Sequence, residues 1–407
     1  MKNIKNKIFS ICSTLLEDGV SPLFKTENNF AYFLDPVLNL NRNRVNTEIL
    51  KSIMRLKKIK NKVLFSENSE KILNWILSQQ NENGSWNEIH SFYNQESALL
   101  TSFVGELLLL IDNKKTKTAV RKAKKYVLSQ ELNPGYFKKS YLNYADCLNV
   151  NATCGAFLAE YYEKYKDNEC YDAANRAANR VCQYQFINGA FPYTTKEIKN
   201  TSKLHYYVPC IHYQGVTMFF LSKIHKILQE DLIKIALERG AEWLASVQKK
   251  NGKFDWSEGG LMYAYTLAAA YGFAASSFLY VSKFNSKYEK NACLCLDVLK
   301  KNIHGLVNRW EEDSMITLPR GFIEAIKTAG IGDYPLNHRF FRLGYGFYKQ
   351  FSRRRYSDRL DDKFFKKLSA ILKIDSTWIE PIKNYPDLFN TSEVLDCLTS
   401  SYAQNGL

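Results

Sequence analysis

The sequence has no apolar run approaching the roughly 20 residues that a helix needs to cross a bilayer. It has no Cys-x-x-Cys pair. Its nine cysteines are scattered singly, with only Cys293 and Cys295 close together, which excludes the usual zinc-ribbon and dithiol spacings. The opening stretch, MKNIKNKIFSICSTLLEDGV, has a short apolar run, interruptions at Glu17 and Asp18, and no small-residue cleavage site. It reads as an ordinary helix rather than a signal peptide. An odd number of cysteines in such a chain points to reduced thiols and a cytoplasmic location. No Pro/Gly/Ser-rich linker divides the chain, and no recognised nucleic-acid-binding module occurs, so nucleic acid is not an expected partner. Asp146-Cys147 and Asp396-Cys397 are adjacent pairs without a third ligand, so neither a metal nor another cofactor is expected.

The chain does have 407 residues, 45% of them apolar, with 26 tyrosines, 25 phenylalanines and a formal charge of +15. That is enough apolar surface for a substantial core. The charge admits two readings, a solubilising lysine surface or an anionic partner.

A repeat carries the fold. KILNWILSQQNENGSWNE (71–88), RKAKKYVLSQELNPGYF (121–137), RAANRVCQYQFINGAF (176–191) and RGAEWLASVQKKNGKF (239–254) each run from an amphipathic helix to a glutamine and close on Gly-x-aromatic. The glutamines, Gln80, Gln130, Gln185 and Gln248, are spaced by 50, 55 and 63 residues. Self-similarity at this period means stacked supersecondary units. Glycine can take the left-handed conformation that stops a helix, and the glutamine can bond backbone groups left over at helix ends. Between these motifs lie 95–111, 149–165, 208–224 and 259–281, apolar on most faces and therefore expected to be buried. Outer and inner helices thus alternate. Residues 287–304 and 360–372 are expected as further outer helices, with inner partners within 317–350 and at 391–403. The expected architecture is all-α, an (α/α)6 barrel over 67–407, with residues 1–66 as a helical extension packed on it.

Gln80-Asn81-Glu82-Asn83-Gly84-Ser85-Trp86 matches the Q-x-x-x-G-x-W motif of squalene and hopene cyclases, and Arg239–Phe254 matches its longer form with Phe254 in place of tryptophan. The chain resembles the prenyltransferase and squalene-cyclase repeat superfamily over about residues 65–260. That resemblance implies an α/α toroid. It does not carry the family's chemistry across. The Asp-x-Asp-Asp acid of the cyclases is absent, and Asp358-Arg359-Leu360-Asp361-Asp362 is one residue too long. The Asp-x-Cys zinc pair of prenyltransferases is absent too.

In such a barrel the N-termini of the inner helices converge on one rim, where helix dipoles favour negative charge. The residues leading into those helices are polar and aromatic: Tyr93 and Glu96; Asp146 and Asn149; His205, Tyr207, His212 and Tyr213; Trp256 and Tyr263; Arg320. Glu96, Asp146, His212 and Tyr213 are the candidate catalytic groups. Tyr93, Asn149, His205, Tyr207, Trp256, Tyr263 and Arg320 are the candidate substrate contacts. Each also has a plain structural role open to it, as a cap, a core residue or a packing ring. Aromatic faces suit pyranose rings, amides suit hydroxyls, a His or Tyr suits proton removal beside a uronate carboxylate, and a carboxylate pair suits glycoside hydrolysis. The expected function is modification of an anionic glycan or lipid-linked sugar by an epimerase, lyase or hydrolase, as in bacterial surface-polysaccharide synthesis. The alternatives are a divergent isoprenoid cyclase or prenyl transferase and a non-catalytic toroid scaffold. The basic and aromatic stretch 338–360 is a candidate contact with a membrane surface on its inner face.

Overall fold

The computed structural model describes residues 2–35, 40–58, 64–90, 93–141, 145–195, 209–255, 258, 263–303 and 388–404. Six helices stand side by side as an inner ring: α2 (Asn43–Lys57), α4 (Ala98–Ile111), α6 (Leu148–Tyr165), α8 (Ile211–Leu228), α10 (Tyr263–Val281) and α12 (Leu388–Gln404). Each packs on the next, and α12 packs back on α2, so the ring is closed. Outside it lie α1 (Lys2–Thr14), α3 (Ser69–Ser78), α5 (Lys114–Ser129), α7 (Asn168–Gln183), α9 (Asp231–Ser246) and α11 (Tyr288–Lys301). Among the described residues no helix is long and apolar enough to cross a membrane.

The two classes of helix differ as the sequence predicts. α7 buries one stripe, Cys170, Ala173, Ala174, Ala177, Ala178 and Val181, the spacing of a helix with one face on a core. α8 is buried all round from Ile211 to His225 except at Tyr213.

The two ends of the ring also differ. At one end the connections from inner to outer helix are minimal. Asp112, Lys166 and Gln229 end α4, α6 and α8 with φ of 46°, 56° and 59°, and each is followed by a single residue in extended conformation that begins the next helix. At the other end the connections are long. They carry the small hairpins β4 (Asn87–His90) with β5 (Tyr93–Glu96), and β6 (Glu131–Asn133) with β7 (Tyr136–Phe137). Chemistry in barrels of this kind is built on the side with room for loops.

The glutamine–glycine device ties neighbouring outer helices together. Gln80 donates to Gly84 O and, across to α5, to Ala119 O, at 3.1 and 3.0 Å. Gln185 does the same to Gly189 O and Ala236 O of α9, and Gln248 to Gly252 O and Asn291 O of α11. Gly84, Gly189 and Gly252 all have φ near +90°. A Cβ on Gly189 would meet Arg239 O at 2.1 Å, so only glycine lets the loop touch the next helix. Trp86 closes the first repeat by donating from Nε1 to Ile76 O. The second repeat departs from this pattern. Gln130 stands five residues before Gly135 rather than four, and Glu131 takes the tying role, accepting from Gly135 N at 2.7 Å and from Arg176 of α7 at 2.8 and 2.6 Å. Gln185→Ala should therefore cost about 1–3 kcal/mol through its two stranded carbonyls, and Gln130→Ala less than about 0.5 kcal/mol. Urea unfolding of the two variants measures both.

α2 is a member of the inner ring and α1 packs outside against α11 and α12, so the N-terminal residues supply ring elements as well as the small sheet of β1 (Phe24–Glu27), β2 (Phe30–Asp35) and β3 (Leu40–Asn41). Two of the expected helices were reproduced, 287–304 as α11 and 391–403 as α12. Those expected in 317–350 and at 360–372, and the basic stretch 338–360, lie outside the described residues.

A candidate active site at the mouth of the ring

Below the mouth the ring has a floor rather than a channel. Phe103 of α4 meets Phe220 of α8 edge to face at 5.5 Å. Lys51 of α2, fully buried, lies over the Phe103 ring and pairs with Glu106 of α4 at 3.0 Å and Asp396 of α12 at 2.7 Å. Asp396 also pairs with Arg55 at 2.5 Å, and Glu106 with Lys223 of α8 at 2.8 Å. Buried charges persist only when paired in this way. Burial alone would raise the Asp396 carboxyl. Lys51, Arg55 and Lys223 outweigh it and hold the group at about 2.

The mouth lies above this floor, at the first turns of the inner helices. Arg44 of α2 pairs with Glu48 at 2.9 Å and with Glu393 of α12, and its guanidinium lies over the rings of Phe103 and Phe389. Glu48 also accepts a hydrogen bond from Ser392. Glu88 of β4 is buried against Lys139 at 3.1 Å and accepts from Ser97. On the far side of the ring from α2, His212 is 3% exposed, with Tyr213 at 4.8 Å and Phe273 at 5.8 Å, both edge-on. Burial, aided by the Arg44 charge, lowers the imidazole to about 3, so it is neutral at physiological pH. Tyr213 stacks obliquely on Tyr193 at 4.5 Å, and burial raises its hydroxyl above the usual phenol range, with the fields of Cys210 and Glu393 adding to the rise. Arg44 stands on α2, opposite α8 in the ring, and Glu393 on α12, separated from α8 by α10.

Among the buried polar atoms that make no hydrogen bond to the described residues are Asn43 Oδ1, Asn149 Oδ1 and His212 Nδ1. Each belongs to the first or second residue of an inner helix, α2, α6 and α8. Native interiors rarely leave such atoms unmet, at about 1–3 kcal/mol each. All three lie in first turns of inner helices, on the end of the ring that carries the long connections.

The structure divides the sequence candidates. His212 and Tyr213 touch in the first turn of α8, and Asn149 is buried in the first turn of α6. Asp146 does not act as a free carboxylate: it accepts from Arg180 at 2.8 and 2.6 Å, from Thr195 at 2.9 Å and from Asn151 at 2.7 Å, and so fastens the entrance of α6 to α7. Glu96 is exposed on β5, held by Asn83 at 2.9 and 3.0 Å, in a cleft outside the ring. It is not brought to His212. Tyr93 begins β5 and Tyr263 begins α10, but their side chains lie outside the described part. His205, Tyr207, Trp256 and Arg320 lie outside the described residues. Sequence reasoning missed Arg44, Glu48, Glu88 and Asn43. Glu88 had a signal, standing two residues after the buried Trp86 on a strand whose faces alternate.

No protein-family model matches the chain, and no curated protein matches it. Solved structures do. Cellobiose 2-epimerase from Bacillus thermoamylovorans B4167 matches with a TM-score of 0.59 at 10% identity, over 77% of this chain and 90% of that one. A sugar epimerase from a ruminal bacterium matches with a TM-score of 0.56 at 11% identity, over 74% and 88%. An inactive variant of the α-1,6-mannanase of Salegentibacter sp. HEL1_6, in complex with α-1,6-mannotriose, matches with a TM-score of 0.52 at 8% identity, over 80% and 98%. What this chain shares with them is the α/α toroid, and the resemblance to squalene-cyclase repeats holds at that level.

Proposed function

We propose that the protein is a carbohydrate-modifying enzyme of the epimerase or lyase type, in which His212 removes a carbon-bound proton from an anionic sugar held at the mouth. The observation that carries this reading is the buried His212, whose Nδ1 has no hydrogen-bond partner among the described residues, with two amide oxygens in the same condition at other inner-helix N-termini. A neutral imidazole accepts the carbon-bound proton, and Tyr213, protonated at neutral pH, gives its hydroxyl proton to the sugar and is left as the phenolate, to be reprotonated from solvent. A carbon acid beside a carboxylate or carbonyl develops negative charge on oxygen when its proton leaves. The Arg44 guanidinium and the N-termini of the inner helices oppose that charge. The net charge of +15 favours an acidic substrate.

Hydrolysis by a free carboxylate pair is less well supported. Glu48, Glu88 and Glu393 at the mouth are each tied to a cation, and Asp146 is fully engaged. The isoprenoid alternative asks for an apolar cavity, whereas Lys51, Glu106, Lys223 and Asp396 occupy the ring interior. The likeness to sugar epimerases and to a mannanase adds weight to a sugar substrate.

The test is incubation of the protein in D2O with a panel of uronate-containing and neutral oligosaccharides, followed by proton NMR. The expected result is loss of one ring-proton signal beside the carboxylate or carbonyl, either to deuterium or with a new olefinic signal as the neighbouring C–O bond breaks. New reducing ends with every ring proton retained and no olefinic signal would mean hydrolysis and would remove this reading.

A further inference from the structure

A second cleft lies outside the ring between the first and second repeats, with a volume of about 540 Å3. Its walls are the β4–β5 hairpin, the C-terminal end of α5 and the segment 138–141. We infer that this cleft binds a further unit of an anionic glycan chain whose reacting unit sits at the mouth. The inference rests on the mouth being a sugar site.

Three observations support it. Tyr141 lines the cleft with 71% of its surface exposed, a flat apolar face with a hydroxyl edge, suited to stacking on a pyranose ring. Next, Gln130 lines the cleft because of the one-residue departure in its repeat. Gln80, Gln185 and Gln248 spend their amides on the next outer helix, whereas Glu131 does that work here and, among the described residues, the Gln130 amide donates to Ser129. Finally, Lys125 and Lys138 face the same space as a single carboxylate, Glu96, whose two oxygens are held by Asn83. Cations in excess, fixed amides and an aromatic platform are the groups that recognise an acidic sugar.

Position links the cleft to the mouth. The β4–β5 hairpin and segment 138–141 form a partition between the two. Glu96 and Lys138 stand on the cleft side, while Glu88 and Lys139 pair with each other on the mouth side, where Glu88 adds to the field on Arg44. Ser97 and Ser140 join the two segments by a backbone bridge. A polymer crossing this partition touches both sites, so the substrate is an oligosaccharide or longer chain rather than a single sugar.

Calorimetric titration of the full chain with a galacturonate hexamer, a galacturonate dimer and a neutral mannose hexamer tests this. The expected result is that the acidic hexamer binds and that the double variant Tyr141→Ala/Lys138→Ala weakens it by roughly tenfold, about 1.4 kcal/mol, while the dimer is unaffected. Unchanged hexamer affinity in that variant, equal affinity for the neutral hexamer, or no binding of the acidic hexamer would each overturn the inference. The two readings fail separately. A cleft variant that binds normally in a protein that still exchanges carbon-bound deuterium leaves the mouth standing alone. Weakened hexamer binding in a protein without exchange leaves only the cleft.

Discussion

Asp396→Ala should destabilise the protein by about 3–5 kcal/mol, because it takes a carboxylate partner from two buried cations, Arg55 and Lys51, and leaves Lys51 with Glu106 alone. Lys51 and Arg55 both pair with Asp396, and Lys51 is fully buried. The loss falls on the seam where α12 meets α2, the one junction of the ring made by the two ends of the chain. No short connection holds those helices together, so their contacts must. Arg44–Glu393 and the bond from Ser392 to Glu48 span the same seam. The exposed pair Lys115–Glu70, more than half open to water on both sides, should give less than about 1 kcal/mol when broken. Replacing Lys51, Arg55 and Asp396 together by apolar residues of similar size should recover much of the loss. The sign with pH follows from the lowered carboxyl. Asp396 contributes its full stability above the unfolded value of about 4 and loses it as pH falls toward about 2. Urea midpoints of wild type and Asp396→Ala between pH 7 and 2.5 measure both effects, and the gap between them should shrink at the acid end.

His212→Ala should lower kcat for proton exchange by roughly 10²–10⁴ and leave the fold in place. The same residue predicts a second pH trend. Its folded value is lowered to about 3, so burying it neutral costs nothing above the unfolded value near 6.5. Wild-type stability falls as pH drops from 6.5 toward 3, and His212→Gln should lose that part of the slope. Asp146→Asn should behave in the opposite way, costing stability through Arg180 and Thr195 before it touches the chemical step. A set of variants in which Asp146→Asn is folded and inactive while His212→Ala is active would reverse the two roles.

The helical hairpins were legible because their signals are local. A one-stripe outer helix, a buried inner helix and a Gly-x-aromatic stop can each be read within 20 residues. The closed ring was expected, but the helix that closes it was not identified, because α2, NRVNTEILKSIMRLK, carries five charged residues and reads as a surface helix. It is buried nonetheless, since Glu48, Lys51 and Arg55 find partners on α4 and α12, residues 55 to 344 positions away in the chain. Charge pairing at that separation leaves no periodic trace. The same limit applied at the site. His212 was proposed from the density of aromatic and imidazole groups at the entrance to α8. Arg44, which acts on it from across the ring, could not be. Glu96 was placed with His212 because both precede inner helices, but strand pairing in β4–β5 turns Glu88 inward and Glu96 out. Gln130 was aligned by residue type, whereas the spacing to Gly135 identifies Glu131 as its counterpart.

The claim on which the rest depends is that the ring is closed by its own ends, which brings Arg44 across from His212. Ser52 Oγ of α2 and Thr399 Oγ1 of α12 lie 3.3 Å apart, close enough for a disulfide between cysteines at those positions. Mild oxidation of the Ser52→Cys/Thr399→Cys variant, followed by peptide mass mapping, should yield one dominant intramolecular link between residues 52 and 399 in a monomer. A link found only between two chains, or none at all in a folded variant, would mean an open or swapped arrangement and would contradict it.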